Sequence, residues 1–107
     1  RDFFAGIEWW RLEPTPELVK NQVQAELRKM IVSRSSNGDL FVGYLPDNAE
    51  IVLDLTAMRE GLAGRWFNPL NGRSVPLATS VSPQPAATLR RPPDWTDAVL
   101  ILATAKQ

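Results

Sequence analysis

Cysteine and histidine are both absent from the sequence, and its 12 Lys+Arg are balanced by 12 Asp+Glu. The first two absences exclude a disulfide framework, a zinc finger, a thiolate nucleophile and any His-based triad. Carboxylates alone remain as metal ligands, and covalent chemistry could come only from Ser, Thr, Lys, Tyr, Asp or Glu. The balanced charge argues against a surface that tracks nucleic-acid phosphates, which needs a basic excess. No run approaches the ~18 consecutive apolar residues of a membrane helix, so no membrane partner is expected. No stretch repeats apolar residues at the 3.6-residue period over a dozen positions, which excludes a long amphipathic helix. GxGxxG and GxxxxGK[ST] are missing, so no phosphate cradle is read. The chain opens on Arg1-Asp2-Phe3-Phe4, with no initiator Met and no basic n-region before an apolar run. That opening reads as a start inside a longer protein. The lack of cysteine suits the cytosol and export equally, and export would require a signal peptide on the parent.

What is present is an ordinary globular composition, 44% hydrophobic, punctuated by 9 Pro and 6 Gly. The punctuation divides short extended runs. Ile7 to Leu12 is aromatic and is closed by Glu13-Pro14-Thr15-Pro16. Pro16 to Lys20 suits one helical turn, with Thr15 as N-cap and Pro16 at the first helical position. From Leu27 the chain is extended, and Met30, Val32 and Arg34 share one side. Ser35-Ser36-Asn37-Gly38-Asp39 is a turn whose Asn-Gly pair suits positive φ, and Leu40 to Leu45 returns as the partner strand of a hairpin. After a turn at Pro46 to Ala49, Glu50 to Leu55 alternates strictly, with Ile51, Leu53 and Leu55 inward. Thr56 to Gly61 suits a brief helical turn. Ala63 to Phe67 is a further strand; Ser74 to Ala78 and Ala87 to Arg90 are weaker ones. Val99 to Ala103 is continuously apolar, as expected of a strand covered on both faces. Short runs at such spacing predict an all-β fold, an antiparallel β-sandwich of about seven to eight strands. The expected core is Met30, Val32, Ile51, Leu53, Leu55, Trp66, Leu100 and Leu102.

Acids offer two pairs that a glycosidase could use, Glu8 with Glu13 and Asp94 with Asp97. Both read more simply as solvated strand-end or loop carboxylates. Asp39, Asp47 and Asp94 could supply oxygen ligands to calcium, but the spaced acidic loop is missing. No catalytic residue, cofactor or metal site is assigned. Aromatics say more. Trp9 and Trp10 are adjacent and so point to opposite faces of a strand. With Phe3 and Phe4 they form an apolar load that marks an interface. Trp66 belongs to the alternating core. Trp95 is either a platform for a sugar ring or a plug over the sandwich edge, and Tyr44 is a second candidate for ligand stacking.

The ordered set Glu8-Trp9-Trp10-Arg11-Leu12-Glu13-Pro14, Val42-Gly43-Tyr44-Leu45-Pro46, Ile51-Val52-Leu53-Asp54-Leu55, Arg65-Trp66-Phe67-Asn68-Pro69, Pro92-Pro93 and Asp97-Ala98-Val99-Leu100-Ile101-Leu102 resembles a known module. It is the family described as "putative collagen-binding domain of a collagenase", found behind a (β/α)8 catalytic domain in apiosidase-like bacterial glycoside hydrolases. The likeness runs from about Trp9 to Leu102. Asn68 stands where the family usually has Asp, Asp47-Asn48-Ala49 replaces a Gly-containing turn, and Ser80 to Ala87 follows its own course. These departures touch turns, and no binding residue is carried over. The resemblance implies that residues 1–8 are a linker or the end of the preceding catalytic-domain helix, and 9–107 the sandwich. It implies a non-catalytic accessory module that packs on and stabilises the barrel through Phe3, Phe4, Trp9 and Trp10. The alternative is a module that binds carbohydrate or collagen.

Overall fold

The computed structural model describes residues 11–21, 29–46, 48–78 and 80–104. Among these residues eight strands follow one another: β1 (Leu12–Pro14), β2 (Ile31–Ser35), β3 (Leu40–Pro46), β4 (Glu50–Leu53), β5 (Ala63–Phe67), β6 (Ser74–Pro76), β7 (Ala87–Arg90) and β8 (Asp97–Ala103). They pair antiparallel into a six-stranded sheet, in the order β1-β2-β3-β8-β5-β6, and a two-stranded sheet, β4-β7. The second layer is widened by backbone bonds from Lys20 N to Val52 O and from Asp54 N to Leu18 O. The all-β sandwich expected from the alternation is therefore the observed fold.

Register explains the core. Val32, Gly43, Leu100, Trp66 and Val75 stand side by side across the large sheet, and Phe41 and Leu102 form the neighbouring row. From the small sheet, Ile51 and Leu53 point at them, with Leu55 beyond the strand end, all fully buried. Every residue of the expected core is buried. Gly43 suits its neighbours, because a Cβ there would lie 3.0 Å from the Phe41 ring and 3.2 Å from Val32 Cγ1 and would press both aside. The small residue lets the Phe41 ring lie across the strand.

Two local expectations are corrected. The turn at Pro16–Leu18 is a single 3-10 turn with Pro16 at its start, but Thr15 makes no side-chain cap. Its Oγ1 is buried without a partner among the described residues, while its N–H bonds Val32 O at 3.1 Å and continues the β1–β2 ladder. Thr56 to Gly61 is not helical. The Asp54 carboxylate takes the Thr56 N–H and hydroxyl, Met58 N closes on Leu55 O, and Arg59 N leaves for Gly38 O. A helix there would have to release that cross-chain bond.

Candidate functional site

The acids singled out in the sequence are spread through the fold. Glu8 and Asp47 lie outside the described residues, and Glu13 is exposed on the edge strand β1. Asp97, at the start of β8, accepts a hydrogen bond from the Tyr44 hydroxyl at 2.9 Å. Burial, followed by that bond and the Asp97 charge, pushes the Tyr44 phenol up. Asp39 is buried at the β2–β3 turn, where the Ser35 hydroxyl donates to it at 2.8 Å and Arg11 pairs with it. Burial alone would raise this carboxyl; the Ser35 and Arg11 hydrogen bonds and the Arg11 charge outweigh it and hold the group below its ordinary value. Among the described residues no group of three or more acids could hold a metal ion.

Two surfaces have the chemistry to engage a partner. The first is the outer face of the six-stranded sheet. Pairing places Ile31, Tyr44, Val99 and Phe67 in one row across it, and Val42 and Ile101 in the next. Leu40 and Ile101 form the buried centre of a second apolar cluster there, with the half-buried Leu12, Val42, Val99 and Ala103 packed around them, so only the rim of this face is open. Ile31, in the same row as Tyr44, is 62% exposed. This second cluster accounts for the uninterrupted apolar run of β8, since alternate residues serve the inner core and the outer face. The residues expected to dock, Phe3, Phe4, Trp9 and Trp10, lie outside the described residues.

The second surface is a cleft at the β3–β4 and β7–β8 turns, lined by Ala49, Arg90, Arg91, Pro93, Asp94 and Trp95. Trp95 is only 7% exposed and belongs to the main core, so it plugs the sandwich edge while part of its surface forms the cleft wall. Arg90 pairs with Glu50 at 3.1 Å. Arg91 is set differently: its Nε donates to Asn48 O at 2.8 Å and its Nη1 to Pro92 O at 3.2 Å. Sequence reasoning found Trp95 but passed over both arginines. Their adjacency to Pro92-Pro93-Asp94-Trp95 was the available signal.

No curated protein matches the chain. Among solved structures it is similar to one titled "Glycoside hydrolase", at TM-score 0.79 and 12% identity over 99% of this chain and 24% of that one. It is also similar to a glycoside hydrolase family 5 protein from Bacteroides vulgatus, at TM-score 0.76 and 13% identity over 92% of this chain and 21% of that one. The chain thus spans about a quarter of the length of the structures it matches, and at these identities the likeness is one of fold. The family model described as "Putative collagen-binding domain of a collagenase" matches residues 14–103, which takes in every strand but the start of β1, and the chain belongs to that family.

Proposed function

We propose that the chain is a non-catalytic module that packs on and stabilises the (β/α)8 catalytic barrel of a glycoside hydrolase, within one parent polypeptide. The supporting observation is the apolar outer face of the six-stranded sheet, buried within the chain at Leu40, Ile101 and Phe67 and open at its rim, where Ile31 is exposed. A two-layer sandwich needs only one apolar face per sheet, and a second one is the mark of a third layer. Leu12 of β1 belongs to that outer cluster, and residues 1–10, with Phe3, Phe4, Trp9 and Trp10, lead directly into β1. Phe3, Phe4 and one of Trp9 or Trp10 supply area for docking: side chains of this kind bury roughly 150–250 Å² each. In this reading residues 1–8 are a linker or the end of the preceding catalytic-domain helix, residues 9–107 the module, and Tyr44 lies on the docking face.

The test uses Ile31→Asp, a charge on the exposed end of the Ile31–Tyr44–Val99 row. In the chain alone its effect is about 1 kcal/mol or less, because Ile31 already meets water. In the full-length hydrolase it should lower the melting temperature of the barrel or split one transition into two. An unchanged full-length melt would refute docking through this face.

A second reading, ligand binding, is favoured by the family's description and by the cleft at Arg91 and Trp95. Its ligands would be carbohydrate or collagen. Retention of the chain on immobilised polysaccharide or collagen, unaltered by Ile31→Asp, is its signature.

A further inference from the structure

We propose that the cleft between the β3–β4 and β7–β8 turns binds a hexuronic acid residue of a glycan, with its carboxylate on Arg91, its hydroxyls on Asp94 and its C–H face against Pro93 and Trp95. The inference rests on the ligand-binding reading and is independent of docking through the outer sheet face.

The arginine carries most of the weight. Two backbone carbonyls, Asn48 O and Pro92 O, hold its Nε and Nη1, and no carboxylate pairs with it among the described residues. Its neighbour Arg90 is matched by Glu50. A half-buried guanidinium fixed by neutral carbonyls keeps its full charge, and its Nη2 edge has no partner among the described residues. Such a group is preorganised for a planar, two-oxygen acceptor, because the fork loses little rotamer freedom on binding. A carboxylate meets that geometry; a lone hydroxyl does not.

The rest of the lining separates a sugar acid from a simple anion. Asp94 is exposed on the same cleft and can accept hydrogen bonds from hydroxyls, whereas it repels an anion that carries no donors. Pro93 and the accessible part of Trp95 give an apolar wall, and a pyranose presents a patch of C–H groups that such a wall shields from water. Asn48, in the turn that supplies Ala49 to the cleft, has its side-chain carbonyl oxygen buried without a partner among the described residues.

The experiment is a nitrogen-15 NMR titration with methyl β-glucuronide, using methyl β-glucoside and acetate at equal concentration for comparison. The glucoside differs only in lacking the carboxylate, and acetate only in lacking the ring. The expected result is a saturable shift of the Arg91 Nε–H and Trp95 indole signals with the glucuronide alone. Arg91→Gln should weaken it by about tenfold or more, and Arg91→Lys, which keeps charge but loses the fork, by a smaller factor. Equal shifts with the glucoside would overturn the uronate assignment while leaving the module a sugar binder. Equal shifts with acetate, or none with the glucuronide, would overturn the sugar site in this cleft. Because Arg91 also braces the Asn48 turn, the three-ligand comparison on the unmodified chain decides the matter even where a variant misfolds.

Discussion

Ser35→Ala removes one hydroxyl and should cost this small domain a large part of its stability. Ser35 is 1% exposed at the end of β2, and its Oγ accepts hydrogen bonds from the N–H groups of both Asp39 and Leu40 at 3.1 Å. The same hydroxyl donates to Asp39 Oδ1 at 2.8 Å. The hairpin closes on a side chain: Ser35 O takes the Gly38 N–H, and Oγ takes the next two. Alanine leaves both later N–H groups buried and removes a donor from a carboxylate. Each orphaned buried group costs about 1–3 kcal/mol, so a total near 3 kcal/mol is expected after some relaxation. In a domain with a stability of about 5–15 kcal/mol, that lowers the melting temperature by roughly 12–24 °C. Urea unfolding followed by tryptophan fluorescence measures it, with Ser33→Ala on the same strand as a control that should stay within about 0.5 kcal/mol. The loss should also depend on pH. Asp39 is held below its ordinary 3.8, so its contribution is present above about pH 3.8 and fades as pH falls through the folded value. The gap between the two proteins should narrow in acid for that reason. A loss below about 1 kcal/mol at neutral pH, or a gap independent of acid, would refute the bonding scheme.

Gly38 and Gly61 have nearly the same backbone, φ 75° and 69°, yet their alanine variants should differ. A Cβ on Gly38 would come 2.7 Å from Ala57 O, whereas Gly61 has open space. Gly38→Ala should cost about 2–3 kcal/mol and Gly61→Ala about 1 kcal/mol, the left-handed conformation alone; equal denaturant midpoints would show that the close approach has no effect. Tyr44 predicts the alkaline limb. Its phenol is raised above the ordinary 10.0, so its contribution is complete below about pH 10 and is lost as pH rises through the folded value. Tyr44→Phe should lose about 1 kcal/mol at neutral pH and flatten that limb, and parallel alkaline melts of the two proteins would contradict the assignment.

Much of the architecture was legible because strand alternation reports burial directly. Ile51, Leu53 and Leu55 announce an inward face whatever they pack against, and the Asn37-Gly38 turn announces the hairpin, since only a few residues accept positive φ. The candidate sites were less legible. Arg91 becomes distinctive only when Asn48 O and Pro92 O converge on it, and Asn48 is 43 residues away. Trp95 on a proline-flanked loop could be read as a sugar platform or as a plug; that it closes over the core depends on where the loop lands. The apolar outer face was visible only in β8, because in the other strands its members read as the ordinary other half of an alternation.

By itself the sequence determined which side of each strand is apolar, where the chain must turn, and which chemistries were impossible without cysteine or histidine. The tertiary structure decided which strands are neighbours. β8 enters between β3 and β5, which brings Asp97 to Tyr44 across 53 residues and Asp39 to Arg11 across 28. The physical reason is that a period of two encodes a face and carries no label for a partner, while the entropy of closing a loop grows only slowly with its length. Partner choice therefore falls to the packing of the whole core, in which Trp66, Leu100 and Gly43 must fill one row together.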